Sequence, residues 1–443
     1  MPSGHTTTRR FYGSVRSGEA DLGEHFCELT ADPYNSREMR VTVHVSTGSG
    51  WDVRNATGGR VNLYDALGDG AFEIVGLGVS VQTQDGGVSS RSGQDGSQFT
   101  ARVQSVEEVR YWAEDVKPHT YDYGYRFPLT ALTYRPGRTM SHGEIGFLRG
   151  DFEENGERVT VTPEPPTTVH LDGVEIEIGS CYNFHDGGPA RYPEQTLVSE
   201  STLGFRWPET ALDDAPEEEA RAIADAVLRL ISVVERDRVR WTRENVAARS
   251  EAGDPSRQWR TTRWASPPVS KNSLAWERRS HLDALQQLVE AYDALPSTAR
   301  RQVDRACTEF EIASTAATIE TTLVRWHSVV DFYCARSEVA RGETRRLKTK
   351  RRIIETCDAM GVDLGPLVPA EALASKSKGA FAFTDLRNQF VHDGFDVFDG
   401  RHDDLFEAVR TARAISERML LATLGLDGPV GHLGTNDADR GLL

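Results

Sequence analysis

Short runs in which apolar and polar residues alternate fill the chain up to about residue 208, at 40–45, 72–76, 158–162 and 174–178 among others. A period of two is that of a strand with one buried face. Turn-forming clusters at 85–87, 89–97, 155–156 and 186–189 separate the runs. They predict a β-rich N-terminal domain of sandwich or barrel-like form. Beyond Trp207 and Pro208 the period lengthens to that of a helix. Pro216 followed by Glu217, Glu218 and Glu219 suits a helix N-terminus. Ile223, Val227, Leu230 and Val234 then form one stripe, which predicts a helix to about residue 248. Pro255, Pro267 and Pro268 make 251–270 a loop. Further helices are expected at 273–294, 297–312, 314–340, 342–360, 367–377, 379–393 and 403–424, with Gly425 as terminator and a mobile tail after Pro429. The fold class expected is therefore α+β: a β-rich domain over 1–209, an all-helical domain over 210–428 and a flexible tail over 429–443.

Length and composition fit a globular chain of two or three domains. Of 443 residues, 38% are hydrophobic and 27% charged, and no run approaches the roughly 18 apolar residues of a membrane span. No apolar stretch follows the N-terminus, so a secretory signal is not expected. Cys27, Cys181, Cys307, Cys334 and Cys357 are scattered without a Cys-x-x-Cys pair. That argues for reduced thiols in cytoplasm and against a structural zinc site. The net charge of −16 is unevenly spread, with 18 Lys+Arg against 30 Asp+Glu in 1–210 and 33 against 37 in 211–443. The second half also holds a basic run from Arg341 to Arg352. Within a Debye length of about 8–10 Å such a patch matters more to a phosphate than the global sum. Arg341, Arg345, Arg346, Lys348, Lys350, Arg351 and Arg352 are the residues expected to track RNA, although such a run can equally be a solvated face.

Candidate chemistry concentrates in one stretch, 383–394. Phe383, Leu386 and Phe390 recur at helical spacing and should face a core, leaving Arg387, Asn388 and His392 on the other sides. Asn388 and His392 share a face. Arg387 and His392, five apart, point roughly 140° apart on a regular helix, so a loosened last turn would be needed to bring them together. Histidine moves protons near neutral pH, and a guanidinium offers a fixed fork to phosphate oxygens. The pair suits cleavage of RNA by its own 2′-OH without a metal. A plainer reading pairs Arg387 with Asp385 or Asp393 and leaves His392 at a helix end. In the helix expected at 314–340, Ile319, Leu323, Trp326 and Val330 read as core. His327 and Asp331, at i and i+4, read as a possible outer shell of the site or as a solvated pair. Cys181 and His185 have metal-ligand spacing but lack a second pair. Tyr111, Trp112, Tyr121, Tyr123 and Tyr125 read as packing in preference to a ligand platform.

The hexapeptide from Arg387 to His392 resembles the Arg-x4-His signature of HEPN domains, all-helical modules of prokaryotic toxins, defence proteins and RNA-guided nucleases. Leu386, Phe390, Gly394 and a polar residue after the arginine add to the likeness. The layout, strand-rich first and motif near the C-terminus, is similar to ApeA-type abortive-infection proteins. Although a glycine here suits the helix end, many nucleolytic members carry a tyrosine or another helper two residues beyond the histidine, where this chain has Gly394. The resemblance implies a metal-independent endoribonuclease acting in anti-phage defence, with RNA, tRNA being one candidate, as substrate and no cofactor. It also implies a homodimer in which Arg387, His392 and Asn388 of two copies share one cleft, with a phage-derived activator bound by the N-terminal domain. The alternative is a non-catalytic HEPN module that binds nucleotide or RNA or serves oligomerisation, with ligand recognition left to the β domain.

Overall fold

The computed structural model describes residues 7–17, 20–31, 40–46, 61–65, 72–77, 96–102, 105–111, 119–128, 130, 144–145, 148–149, 152–154, 157–159, 166–185, 196–207, 216–251, 255–263, 278–316, 318–340, 342, 348–374, 380–393 and 402–435. The fold is mixed α+β, with an antiparallel sheet in the N-terminal half and helices in the C-terminal half. Thirteen described strands follow one hydrogen-bonded order. It runs Thr167–Leu171, Val174–His185, Thr196–Trp207, Thr120–Phe127, Arg243–Arg249, Pro255–Arg263, Ser105–Tyr111, Phe72–Leu77, Val61–Asp65, Thr7–Ser17, Ala20–Ala31, Arg40–Ser46 and Gly96–Arg102.

The strand Thr120–Phe127 shows how sequence builds this sheet. Every second residue, Tyr121, Tyr123, Tyr125 and Phe127, is buried. Tyr123 and Tyr125 stack on Phe205 at 5.5 and 6.0 Å, and Tyr125 meets Trp241 at 5.8 Å. Tyr121, Tyr123 and Tyr125 are thus core, as the packing reading expected; the side chain of Tyr111, and Trp112, lie outside the described residues. Leu171 and Val174 flank a two-residue turn with Asp172 and Gly173 at φ 52 and 76, the geometry that favours Asp-Gly in tight hairpins.

Eight described helices follow. These are α1 Glu217–Glu235, α2 Arg278–Asp293, α3 Ser297–Ser314, α4 Ile319–Ala340, α5 Thr349–Met360, α6 Ala370–Ala374, α7 Ala382–Asp393 and α8 His402–Thr423. α4 is central and packs against α3, α5, α7 and α8. Leu323, Trp326 and Val330 form its buried stripe, as expected.

Three expectations are corrected. The helix expected to reach residue 248 ends at Glu235, because Arg236 adopts a left-handed conformation with φ 51 and ψ 39. A residue with a Cβ pays for that conformation, and here its own guanidinium is anchored on Glu417 at 2.8 Å and on the His432 carbonyl at 2.9 Å. The chain then returns to the sheet. Arg243–Arg249 and Pro255–Arg263, the second placed in an expected loop, form a hairpin between Thr120–Phe127 and Ser105–Tyr111. The sheet therefore crosses the boundary expected at 209/210. Finally, the tail after Pro429 folds back. Val430 and Leu433 are buried and bridge one another, and Glu417 accepts from the Gly434 N–H at 2.7 Å. Residues 436–443 lie outside the described residues.

Helices and sheet are tied by ion pairs. Arg221 of α1 forks onto Glu244 of the strand Arg243–Arg249, with Nε at 2.9 Å and Nη2 at 2.5 Å, and Glu244 is fully buried. Arg300 of α3 reaches Asp172 of the hairpin turn at 2.6 Å and Asp293 at 3.0 Å. A bidentate guanidinium and a carboxylate suit such a joint, since the fork satisfies both oxygens at once.

Candidate functional site

The motif helix α7 is short, and tertiary contacts hold it. Thr384 and Asp385 donate their N–H groups to the Phe381 carbonyl at 2.9 and 3.0 Å, starting the helix. Phe381, Phe383 and Leu386 are buried, the two rings stacked at 5.6 Å. Phe390 is partly buried against the same core. This face lies on α4 and α8, and the stripe expected at 383, 386 and 390 is the one that packs.

Around the rim, Arg387 and Asn388 are half-buried, while His392 and Val391 are exposed, Val391 at 50%. Arg387 Nη1 donates to Asn388 Oδ1 at 3.0 Å, and the buried Nε has no hydrogen-bond acceptor. Asn388 thus holds the guanidinium. The helix stays regular through His392 and Asp393, so no loosened turn joins the pair. Among the described residues no hydrogen bond or ion pair links Arg387 to His392, nor Arg387 to Asp385. The side chain of Asp393 lies outside them.

Beneath Arg387 lies the seam between α7 and α4. His327 is 2% exposed and tilts against the Phe383 ring at 5.9 Å. It is not a solvated residue. Its Nδ1 approaches Asp331 Oδ2 to 3.2 Å, near enough for charge to be felt, yet neither ring nitrogen meets hydrogen-bond geometry. Asp331 Oδ1 accepts from Arg352 Nη1 at 2.9 Å. Burial pushes the Asp331 carboxyl up, but His327, Arg352 and Arg387 together outweigh it and hold the group below the ordinary carboxylate value. Thr384, one turn before Arg387 and Asn388, buries a hydroxyl without a partner.

The basic run divides. α5 begins at Thr349, with Lys348 as an extended N-cap, so one helix spanning 342–360 is not formed. The later start sets the phase. Lys350 joins Ile353, Ile354 and Cys357 on the buried stripe, its Nζ 5.6 Å over the Phe381 ring. Arg352 is only 11% exposed, fixed between Asp331 and Glu338. Neither can track a phosphate backbone from there, which corrects the expectation for both. Lys348 and Arg351 are exposed, and Arg351 pairs with Glu355 at 2.6 Å. Arg341, Arg345 and Arg346 lie outside the described residues. Arg352 is the seam residue that sequence reasoning put in the wrong role. Its signal was the acidic pair Asp331 and Glu338 two turns apart on the preceding helix.

Elsewhere, Cys181 and His185 fall on the strand Val174–His185. Four strand residues span about 13 Å, too far for a shared metal ion. Among the described residues no group of three or more His, Cys, Asp and Glu could hold a metal ion, and no helix is long and apolar enough to cross a membrane. Burial raises the thiols of Cys307, Cys357 and Cys334, the last to about 11, which makes them poor nucleophiles. No family model, curated protein or solved structure matches this chain.

Proposed function

We propose that the chain is a metal-independent endoribonuclease of HEPN type, an all-helical nuclease unit following a β-rich, sandwich or barrel-like sensing domain, and that it acts as an anti-phage effector on RNA, with tRNA as the candidate substrate. One observation carries the reading. A guanidinium with an unsatisfied buried Nε and an exposed imidazole stand five residues apart on a short helix whose apolar face is fixed by α4 and α8. Because the two do not meet within one protomer, the active unit is a homodimer, in which two copies of α7 border one cleft. His392 of one copy takes the proton from the ribose 2′-OH. The 2′-oxygen bonds to phosphorus and the bond to the 5′-oxygen breaks. The partner's His392 gives the departing oxygen its proton. Arg387 holds the charge that gathers on the phosphate, and the products end in 2′,3′-cyclic phosphate.

The second reading is a non-catalytic RNA- or nucleotide-binding or oligomerisation module, and Val391, half exposed beside His392, favours it. Cleavage of total RNA in EDTA separates the two, comparing wild type with His392→Ala and Arg387→Ala proteins shown to be folded. The nuclease reading expects wild type alone to cut and to leave cyclic phosphate ends. A folded wild type that binds RNA without cutting it would give the second reading precedence.

A further inference from the structure

The side of α4 turned away from α7 carries a different surface. The helical period takes Phe332 and Arg336 roughly 140° and 180° round α4 from His327, which lies against Phe383 of α7. On this side Arg305 of α3 and Arg336 of α4 both sit over the Phe332 ring, their guanidinium carbons 5.6 and 5.5 Å from its centroid. Arg301, one turn before Arg305, and Arg325, two turns before Phe332, fall on the same faces of their helices. Arg301, Arg305 and Arg325 are exposed, and Phe332 and Arg336 are half-buried. The chain has 67 acidic against 51 basic residues, yet among the described residues none of these four arginines pairs with a carboxylate. Exposed arginines elsewhere do, Arg10 with Glu28, Arg206 with Asp122 and Arg351 with Glu355. Covering an apolar ring needs one arginine stem; a second, with two more along the helices, adds charge that the fold leaves unmatched. Two guanidiniums gathered on one ring repel each other, and an anion seated between them removes that repulsion.

We propose that the face of α3 and α4 built from Arg301, Arg305, Arg325, Phe332 and Arg336 binds the phosphate backbone of single-stranded RNA, including the loops and ends of a folded RNA. A guanidinium presents a fork matched to phosphate oxygens and stays charged. Cations interleaved with an aromatic ring suit a single strand, whose bases are free to stack. From Arg325 to Arg336 the face runs for about 16 Å, enough for one strand to meet more than one arginine. Because it lies apart from α7, it sets affinity and not the rate of cleavage. It takes over the role expected of the 341–352 run, from which Lys350 and Arg352 are turned inward. That the polyanion is RNA rests on the ribonuclease reading above; that the face binds a polyanion does not.

The test measures binding of a labelled single-stranded RNA oligonucleotide in EDTA by fluorescence anisotropy, with the full chain carrying His392→Ala so that no cleavage intervenes. At about 0.1 M salt, Arg305→Gln with Arg336→Gln should raise Kd about 30-fold and flatten the slope of log K against log salt by about 1.4, the change expected from two phosphates of a single strand. Arg301→Gln with Arg325→Gln, both exposed and clear of the ring, should flatten it likewise and serves if the first pair fails to fold. Phe332→Leu should weaken binding about threefold with the slope unchanged, since both charges remain. Arg10→Gln with Arg206→Gln, two exposed arginines of the sheet, alters net charge equally and should leave Kd within about twofold. In the chain with His392 intact, Arg305→Gln with Arg336→Gln should raise KM far more than it lowers kcat. An unchanged Kd in the folded variants, an equal loss in the sheet variant, or no RNA binding by the His392→Ala chain overturns the proposal; binding of polyglutamate in place of RNA would give the face to an acidic protein instead. If RNA binds here but wild type cuts none, the proposal stands and the ribonuclease reading fails by itself. If wild type cuts RNA with Kd and KM untouched by these changes, the reverse holds.

Discussion

Two of the buried charge clusters in the helical half differ in kind, the C-terminal latch and the seam beneath α7. At the latch, Glu417 is 1% exposed and accepts from Arg236 at 2.8 Å and from the Gly434 N–H at 2.7 Å, while Arg236 also donates to the His432 carbonyl. The carboxylate and the guanidinium satisfy one another. At the seam, by contrast, both nitrogens of His327, the Nε of Arg387 and the Thr384 hydroxyl are buried without hydrogen bonds. Burying a polar group unpaired costs about 1–3 kcal/mol, so a fold optimised only for stability would not leave several together. The latch has the form of a structural joint, and the seam has the form of a site kept ready for something else.

The contrast can be broken most forcefully at the latch. Glu417→Ala leaves Arg236 buried without its counterion and should cost about 3–5 kcal/mol, seen as a large fall in melting temperature. A melting curve like wild type would show that the latch holds nothing. Gly434→Ala should cost less, about 1–3 kcal/mol. The residue sits at φ 74, and a Cβ there would lie 2.7 Å from Arg418 Cδ. At the seam the cost should be smaller. Asp331, 36% exposed, is partly screened, so Asp331→Asn should cost only about 1 kcal/mol of stability. If it proves more destabilising than Glu417→Ala, the distinction between the two clusters collapses.

Acid sharpens the same comparison. The folded Asp331 carboxyl lies below its ordinary 3.8. Its contribution is complete above that pH and is lost as the pH falls through the lowered folded value. The stability gap between wild type and Asp331→Asn should stay level from about pH 5 to 8 and close in stronger acid. A gap that widens on acidification would mean the carboxyl is raised instead. The smallest effect concerns Cys307, Cys334 and Cys357. Their buried, raised thiols should resist maleimide until the chain unfolds, as site-resolved mass spectrometry would detect; rapid labelling of the native protein would contradict their burial.

Much of this was legible in period alone. Tyr121 to Phe127 alternate and are buried alternately; Phe383 and Leu386 keep helical spacing and face the core. What misled was charge in the interior. Glu244 interrupts the apolar alternation of Arg243–Arg249 and disguises a strand, and only Arg221, far along the chain, accounts for it. Arg236 ends α1 where a glycine would have announced the stop. Lys350 and Arg352 belong to a run that reads as a wet face, yet helix phase and two acids on α4 turn both inward.

The sequence by itself determined the change from strand to helix near residue 208, the packing face of the motif helix and the residue types available for chemistry. Each follows from local periodicity, which burial of one face imposes on any chain. The tertiary structure alone decided where α1 stops, that a later hairpin completes the sheet, and that Arg352 is turned inward onto Asp331 and Glu338. Those outcomes depend on pairings between charges far apart in sequence. A charge pattern along the chain carries no record of which partner will be brought near enough to hold it.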